Sequence, residues 1–401
     1  MDSLGQEEKL HAQYALDIAS GCWRRENALE RISSYLQHGP ARPLVVVGES
    51  GVGESRLMAA AVEQARERHP ETTIIARFLG LTPRSTQVVP LLDGLLREIE
   101  STRYYEGYEP YLDIDYHQKC LKLEEHLECT GHSIHIFVDA LDQLEEQLTH
   151  WTPRNFHPNG LVRMVISTTP GVWANAAEAR FGPGSVVRLE PMAVVDGEAL
   201  LDEWLERWGR QLQPAQREHL LAQFAVTGLP LYLRLAAEEA SRWRADDSLE
   251  QYRLPEGLAM LITRRFRRLQ QERGEMLVNR ALAYLAAALD GLSRAEMLAV
   301  LERDDAVLGE FDSQKHHQLP AGRLPQVLWS RLFGDLEPYL TERRSDHTTV
   351  LAFYHRAILE VARVQFLMPK ANMIHRRLAD YFKYGSCARW QGTGMAPHPL
   401  W

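Results

Sequence analysis

Cysteine is scarce in the 401-residue sequence: Cys22, Cys120, Cys129 and Cys387 are the whole set. They are scattered and form no C-x-x-C pair, which leaves no disulfide or zinc framework and fits reduced thiols in a cytoplasmic protein. Long apolar runs are missing too. The longest, near Ala281–Leu289, falls far short of the roughly 20 residues that span a bilayer. The opening MDSLGQEEKL is acidic and polar, unlike a signal peptide. An excess of positive charge is absent: the formal net charge is −9, which argues against bulk attraction to DNA, RNA or anionic lipid. No low-complexity tract or internal repeat is evident.

What remains is an ordinary globular composition, 45% hydrophobic and 25% charged. Single cores stop growing at roughly 250–300 residues, so the length implies two or three domains. Short apolar runs bounded by turn residues at Pro43–Val47, Thr72–Leu79, Ile134–Val138, Val162–Ser167 and Ser185–Leu189 predict buried strands. Helical periods lie between them, at Arg25–Leu36, Leu57–Arg68, Val88–Ile99 and Tyr116–Leu127. Strands alternating with helices predict an α/β domain with a parallel sheet.

After about residue 195 strand signals stop. Leu200–Leu212, Gln216–Ala225, Pro230–Arg244 and Val278–Leu289 are helical in period. Ser293 and Glu296 form a capping box that starts another helix. Pro325–Gly334 is helical, and strand-like runs at Tyr339–Glu342 and Val350–Tyr354 flank a polar turn before a helix from Arg356. Helices with a final hairpin predict a winged helix. The expected layout is a lead-in over 1–20, an α/β domain over 21–195, a helical lid over 196–276, a winged helix over 277–370 and a tail over 371–401. The tail loses its period from Tyr384, so a following region is expected.

Gly48-Glu-Ser-Gly-Val-Gly-Glu-Ser55 sits between a buried strand and a helix. It matches the phosphate-binding loop G-x-x-x-x-G-K-[ST] at Gly48, Gly53 and Ser55. Such a loop turns its N–H groups toward phosphate oxygens, aided by the dipole of the following helix. Ser55 would offer its hydroxyl to Mg²⁺. The candidate nucleotide contacts are Gly48, Ser50, Gly51, Val52, Gly53, Glu54, Ser55 and Arg56, although Arg56 lies on the helix and is expected to point away from the phosphates. The lysine position holds Glu54. Lysine would attract the phosphates; an ionised glutamate repels them. At 4 Å each such unit-charge interaction is worth about 4 kcal/mol at an effective dielectric of 20.

Ile134-His-Ile-Phe-Val-Asp-Ala-Leu-Asp142 is an apolar strand ending in acid, as in a Walker B element. Asp139 would hold Mg²⁺. Asp142 reads either as the group that polarises attacking water or as a helix N-cap. Val162–Thr168 ends in hydroxyls, so Thr168 is either a γ-phosphate sensor or a turn residue. The basic stretch Arg264-Arg-Phe-Arg-Arg268 reads as a solvated helix face paired with acids such as Glu272 and Glu275.

Together these parts resemble the STAND class of P-loop NTPases, and within it the NACHT-like modules of telomerase-associated protein and its bacterial relatives. The likeness runs over roughly residues 22–380. It rests on Phe137-Val-Asp-Ala-Leu-Asp-Gln-Leu144, on Gly228-Leu-Pro230, on Leu324-Pro-Gln-Val-Leu-Trp-Ser-Arg-Leu332 and on Leu351-Ala-Phe-Tyr-His-Arg356. The family's entry motif appears as Cys22-Trp-Arg-Arg-Glu26; Arg25 and Glu26 match it and Arg24 replaces a glycine. The resemblance implies ATP or ADP with Mg²⁺ as cofactors, weakened by Glu54, and a sheet order of 5-1-4-3-2. It implies that Arg25 and Pro230 contact the nucleotide, Pro230 at the adenine. His355 is either the winged-helix group that reaches the β-phosphate or a structural histidine. It further implies a signalling switch, opened by exchange of ADP for ATP, that acts with protein partners through effector and repeat regions and as a homo-oligomer when active. The rival is a pseudo-NTPase scaffold without turnover. A weaker rival is a winged-helix nucleic-acid binder.

Overall fold

Valine, leucine and isoleucine dominate five short segments, and in the computed structural model each becomes a strand. The structure describes residues 3–19, 25–101, 114–144, 151–153, 156, 160–289, 291–314, 324–345 and 348–385. Cys22, Trp23 and Arg24 of the entry motif, Cys387 and the tail from 386 lie outside the described residues. Those that are described form two compact units, Met1–Leu254 and Pro255–Trp401.

In the N-terminal unit, α1 (Ser3–Ala19) and α2 (Glu26–His38) precede β1 (Leu44–Val47), α3 (Glu54–Arg68), β2 (Thr73–Phe78), α4 (Val88–Ser101), α5 (Tyr116–Glu128), β3 (Ile134–Asp139), β4 (Val162–Thr168), α6 (Val172–Phe181) and β5 (Val186–Arg188). The strands lie in the order β2-β3-β4-β1-β5, and every pair is parallel. This is the expected order, with β4 separating β3 from β1. Every residue of β1, β3 and β4 is buried, because helices cover both faces. Val46, Phe137 and Val165 belong to the core shared with α3. Ile75, Ile136 and Met164 pack on the other face with α4 and α5, and Val45 and Val47 with α6.

The helix over the expected lead-in packs into this unit. Ala15 is fully buried and His11 nearly so. His11 Nδ1 accepts the N–H of Phe78 at 3.0 Å, an amide on edge strand β2. Four helices follow β5 within this unit: α7 (Val194–Arg207), α8 (Pro214–Thr227), α9 (Pro230–Ala240) and α10 (Leu249–Tyr252). Helix α7 closes on α8 at Gly197, where an added Cβ would lie 2.1 Å from the Phe224 ring.

The C-terminal unit contains α11 (Leu258–Arg273), α12 (Glu275–Ala287), α13 (Arg294–Leu301), α14 (Asp305–Gln314), α15 (Gln326–Leu336), β6 (Leu340–Ser345), β7 (Thr348–Phe353), α16 (Arg356–Ala362) and α17 (Ala371–Asp380). Helix α11 therefore groups with the winged-helix region, and the lid expected over 196–276 divides at Leu254–Pro255. The hairpin is antiparallel and longer than the sequence suggests. A single bridge residue joins it, since Leu292 exchanges both backbone hydrogen bonds with Leu351. The approach requires Gly291, at φ 90°, where a Cβ would lie 2.4 Å from the Leu351 carbonyl oxygen. The Ser293–Glu296 capping box forms as expected, with bonds of 3.2 and 2.8 Å. Much of the basic stretch is committed internally. Arg265 is buried with its guanidinium 5.2 Å from the Tyr339 ring centroid, and Arg268 pairs with Glu272 at 2.9 Å. Among the described residues no helix is long and apolar enough to cross a membrane.

Asp304 anchors this unit. Its fully buried carboxylate meets Arg280 at 2.9 Å, Arg377 at 2.7 Å and the Tyr284 hydroxyl at 2.7 Å. Removing one partner of such a group leaves uncompensated buried charge, which costs about 3–5 kcal/mol. Asp304→Ala is therefore expected to lower the stability of the C-terminal unit by that order. Urea unfolding followed by tryptophan fluorescence measures it; a loss below about 1 kcal/mol would show the two arginines reaching water instead.

Candidate nucleotide site

The loop after β1 owes its shape to two glycines. Gly51 and Gly53 take φ 89° and 97°, a left-handed conformation that side chains resist. Val52 N–H closes a turn on the Glu49 carbonyl at 2.9 Å, and buried Val52 pins the turn to the core. Gly53 caps α3, so the free first-turn amides of a 15-residue helix face the loop. Arg25, just before α2, donates to the Val52 carbonyl at 3.0 Å and to the Glu190 carbonyl. It clamps the loop backbone to the exit of β5.

Glu54 folds back over the loop's start. A Cβ added to Gly48 would lie 3.1 Å from Glu54 Oε1 and 3.2 Å from its Cγ. Burial, reinforced by Asp139, Asp142 and Glu49, pushes its carboxyl up to about 10. It is thus the neutral acid at pH 7, which corrects the expectation of an ionised, repelling glutamate. The loop has lost lysine's attraction without gaining a full negative charge. Arg56 does not compensate: it is exposed, and the neighbouring charges that act on it are Arg234 and Glu203. Arg234 is itself held between Trp204 and Trp208, with centroid distances of 5.3 and 5.1 Å.

Asp139 ends β3 with 3% of its surface exposed. It accepts the Ser167 hydroxyl at 2.5 Å and the Ser55 hydroxyl, while burial pushes its carboxyl up to about 6. A serine hydroxyl in contact with a strand-end carboxylate is a hard-oxygen pair that fits Mg²⁺. Ala140 follows at φ 61°, the one non-glycine residue at positive φ among those described, a conformation costing roughly 1–2 kcal/mol. Asp142 then accepts the Thr169 N–H at 3.2 Å.

The strand alternation that places Ser167 beside Asp139 sends Thr168 to the opposite face. There Thr168 lines a cavity of about 460 Å³ with Val45, Ile166 and Trp173, and its hydroxyl donates to the Thr169 carbonyl at 3.4 Å. Ser167 is the residue that sequence reasoning missed. Counting by twos from buried Val165 would have found it. Pro230 opens α9, and the next residue, Leu231, donates its N–H to the Gly51 carbonyl at 3.3 Å. The structure therefore brings together the Gly48–Ser55 loop, Arg25, Asp139, Asp142 and Pro230. His355 lies in the other unit. Its Nδ1 accepts the Ala357 N–H at 3.1 Å, and burial pushes its imidazole down to about 4, so it is neutral with its proton on Nε2.

The chain is similar in sequence to known proteins. Residues 251–374 match the family model of the NWD1-like, winged helix-turn-helix domain. The chain is 28% identical, over 99% of its length, to NACHT domain- and WD repeat-containing protein 1 of Homo sapiens. It is 27% identical, over 95% of its length, to NACHT and WD repeat domain-containing protein 2 of Mus musculus. It spans 27% and 23% of those two proteins, about a quarter of the curated relatives it matches. Among solved structures, Cdc6p from Pyrobaculum aerophilum is similar at a TM-score of 0.41 and 14% identity, over 91% of this chain and 98% of that one. The relatives bear out the NACHT-like, STAND-type reading of the sequence; the narrower likeness to telomerase-associated protein rests on the sequence phrases alone.

The neutral Glu54 has a consequence for stability. The folded chain keeps a proton that the unfolded chain releases above about 4.5. Its contribution is full below that pH and is lost as pH rises toward about 10. Glu54→Gln, which needs no proton, is expected to raise the melting temperature at pH 8 by roughly 2–4 °C for each 1 kcal/mol recovered, and to change it little at pH 4. Thermal unfolding at both pH values checks this; an equal shift at both would place the carboxyl in water.

Proposed function

We propose that this NACHT-like P-loop module is a nucleotide-dependent switch of the STAND type, in which Glu54 leaves ATP hydrolysis at or near background. The observation that carries the reading is the bond from Leu231 N–H to the Gly51 carbonyl. Through it the helix opened by Pro230 rests on the phosphate loop, so a nucleotide entering the loop must act on both. Ser55 and Asp139 would hold Mg²⁺, which shields phosphate charge when bound. The first-turn amides of α3 would take the phosphates. Pro230 would border the adenine, and Asp142 would orient water. On this reading ADP marks the closed form and ATP the open, oligomerising form of a cytoplasmic signalling protein that acts with protein partners.

The second reading, a scaffold without turnover, is favoured by one feature: Glu54 lies over Gly48, where phosphate would approach. Calorimetric titration with ADP and ATP in Mg²⁺ separates the two. Glu54→Lys is expected to tighten binding by about tenfold or more, since 1.4 kcal/mol of recovered attraction is already about tenfold. Unchanged affinity in Glu54→Lys would favour the scaffold. Turnover by the unsubstituted chain near ~1 per second, an ordinary enzymatic rate, would remove Glu54 from the phosphates altogether.

A further inference from the structure

The ends of β3 and β4 are joined by one hydroxyl. Ser167 is fully buried. Its Oγ accepts the N–H of Ala140 at 2.8 Å and donates its single hydrogen to Asp139 Oδ1 at 2.5 Å. The two bonds polarise each other in series, from amide to hydroxyl to carboxylate.

Each bond answers a specific weakness. The terminal torsion of an aspartate is broad and roughly two-fold, so the side chain alone gives the carboxylate no fixed direction. The Ser167 hydrogen bond supplies one, and the carboxylate then presents itself to the Ser55 hydroxyl. Ala140, meanwhile, holds a left-handed backbone conformation at φ 61° with no glycine to ease it. Its N–H is fixed by Ser167, which sets the direction of the short turn Leu141–Gln143 and hence of Asp142. Asp142 is then tied back to β4 through Thr169 N–H at 3.2 Å.

We propose that Ser167 is a positioning residue for the divalent cation of this site, orienting Asp139 toward the metal and, through Ala140, keeping Asp142 in place. The proposal rests on the nucleotide-switch reading above. It concerns how the chain holds the cation, whichever guanine or adenine nucleotide arrives with it.

The test compares ADP affinity in Mn²⁺ with that in EDTA, by calorimetry, in the unsubstituted chain and in the Glu54→Lys chain. The readout is the ratio of the two affinities. Loss of an outer partner of a metal ligand typically lowers metal affinity about 10–100-fold. Ser167→Ala, and Ser167→Cys of nearly the same size, are expected to reduce the ratio by that factor. Ser167→Thr, which keeps the hydroxyl, is expected to restore it to within a few-fold. A purely structural role would lower both affinities and the melting temperature together, leaving the ratio unchanged, and that result overturns the proposal. A parent chain that binds ADP with no help from Mn²⁺ also overturns it while sparing the nucleotide reading. A parent chain that binds no ADP in either background overturns both.

Discussion

A carboxylate at the end of a strand buried on both faces survives only where the protein replaces its water. Asp139 is in that position, and much of the N-terminal unit follows from how its need is met. The parallel order puts β4 beside β3, so the hydroxyl of Ser167 falls next to the carboxylate. The order also puts β1 beside β4, which delivers the phosphate loop and Ser55 to the same end of the sheet. Burial still leaves the Asp139 carboxyl raised, to about 6, so the site favours any cation that can share it.

The same shortage of water explains Glu54. With lysine there, one positive charge would offset nearby acids. With glutamate, the acids Asp139, Asp142 and Glu49 act on one another in a small volume, and a proton supplies the missing positive charge. The loop keeps its glycine geometry and its helix terminus because neither depends on the side chain at that position. What changes is the electrical character of the mouth of the loop, from cationic to neutral. A phosphate there meets backbone dipoles and, at most, whatever cation Asp139 and Ser55 retain.

Much of the fold was readable because apolar period and turn residues report burial directly. The limits of the five parallel strands from the sequence match the observed ones within about one residue, and the Ser293–Glu296 box forms as its pattern requires. The strand order came from family resemblance, since no local pattern encodes which strands pair. Four things stayed hidden for physical reasons. Helix α1 has a polar composition, and its attachment combines a buried Ala15 with one histidine meeting one edge amide, neither of which its composition reveals. The division at Leu254–Pro255 depends on which neighbours α11 packs against, which its own period does not reveal. The choice between Ser167 and Thr168 depends on face parity, and Glu54's protonation on its burial and on Asp139 and Asp142, which are distant in sequence, beside the local Glu49.

The attachment of α1 bears on the open edge of the sheet. An outer strand of a sheet offers unsatisfied amides to any passing strand, and natural proteins blunt that invitation. Here the N–H of Phe78 is occupied by His11 Nδ1, with the ring of Tyr14 also against Phe78, 5.1 Å between centroids. A polar segment that composition alone would mark as dispensable thus acts as the sheet's guard. Trimming it to simplify expression would uncover a sticky border, trading a tidy boundary for self-association.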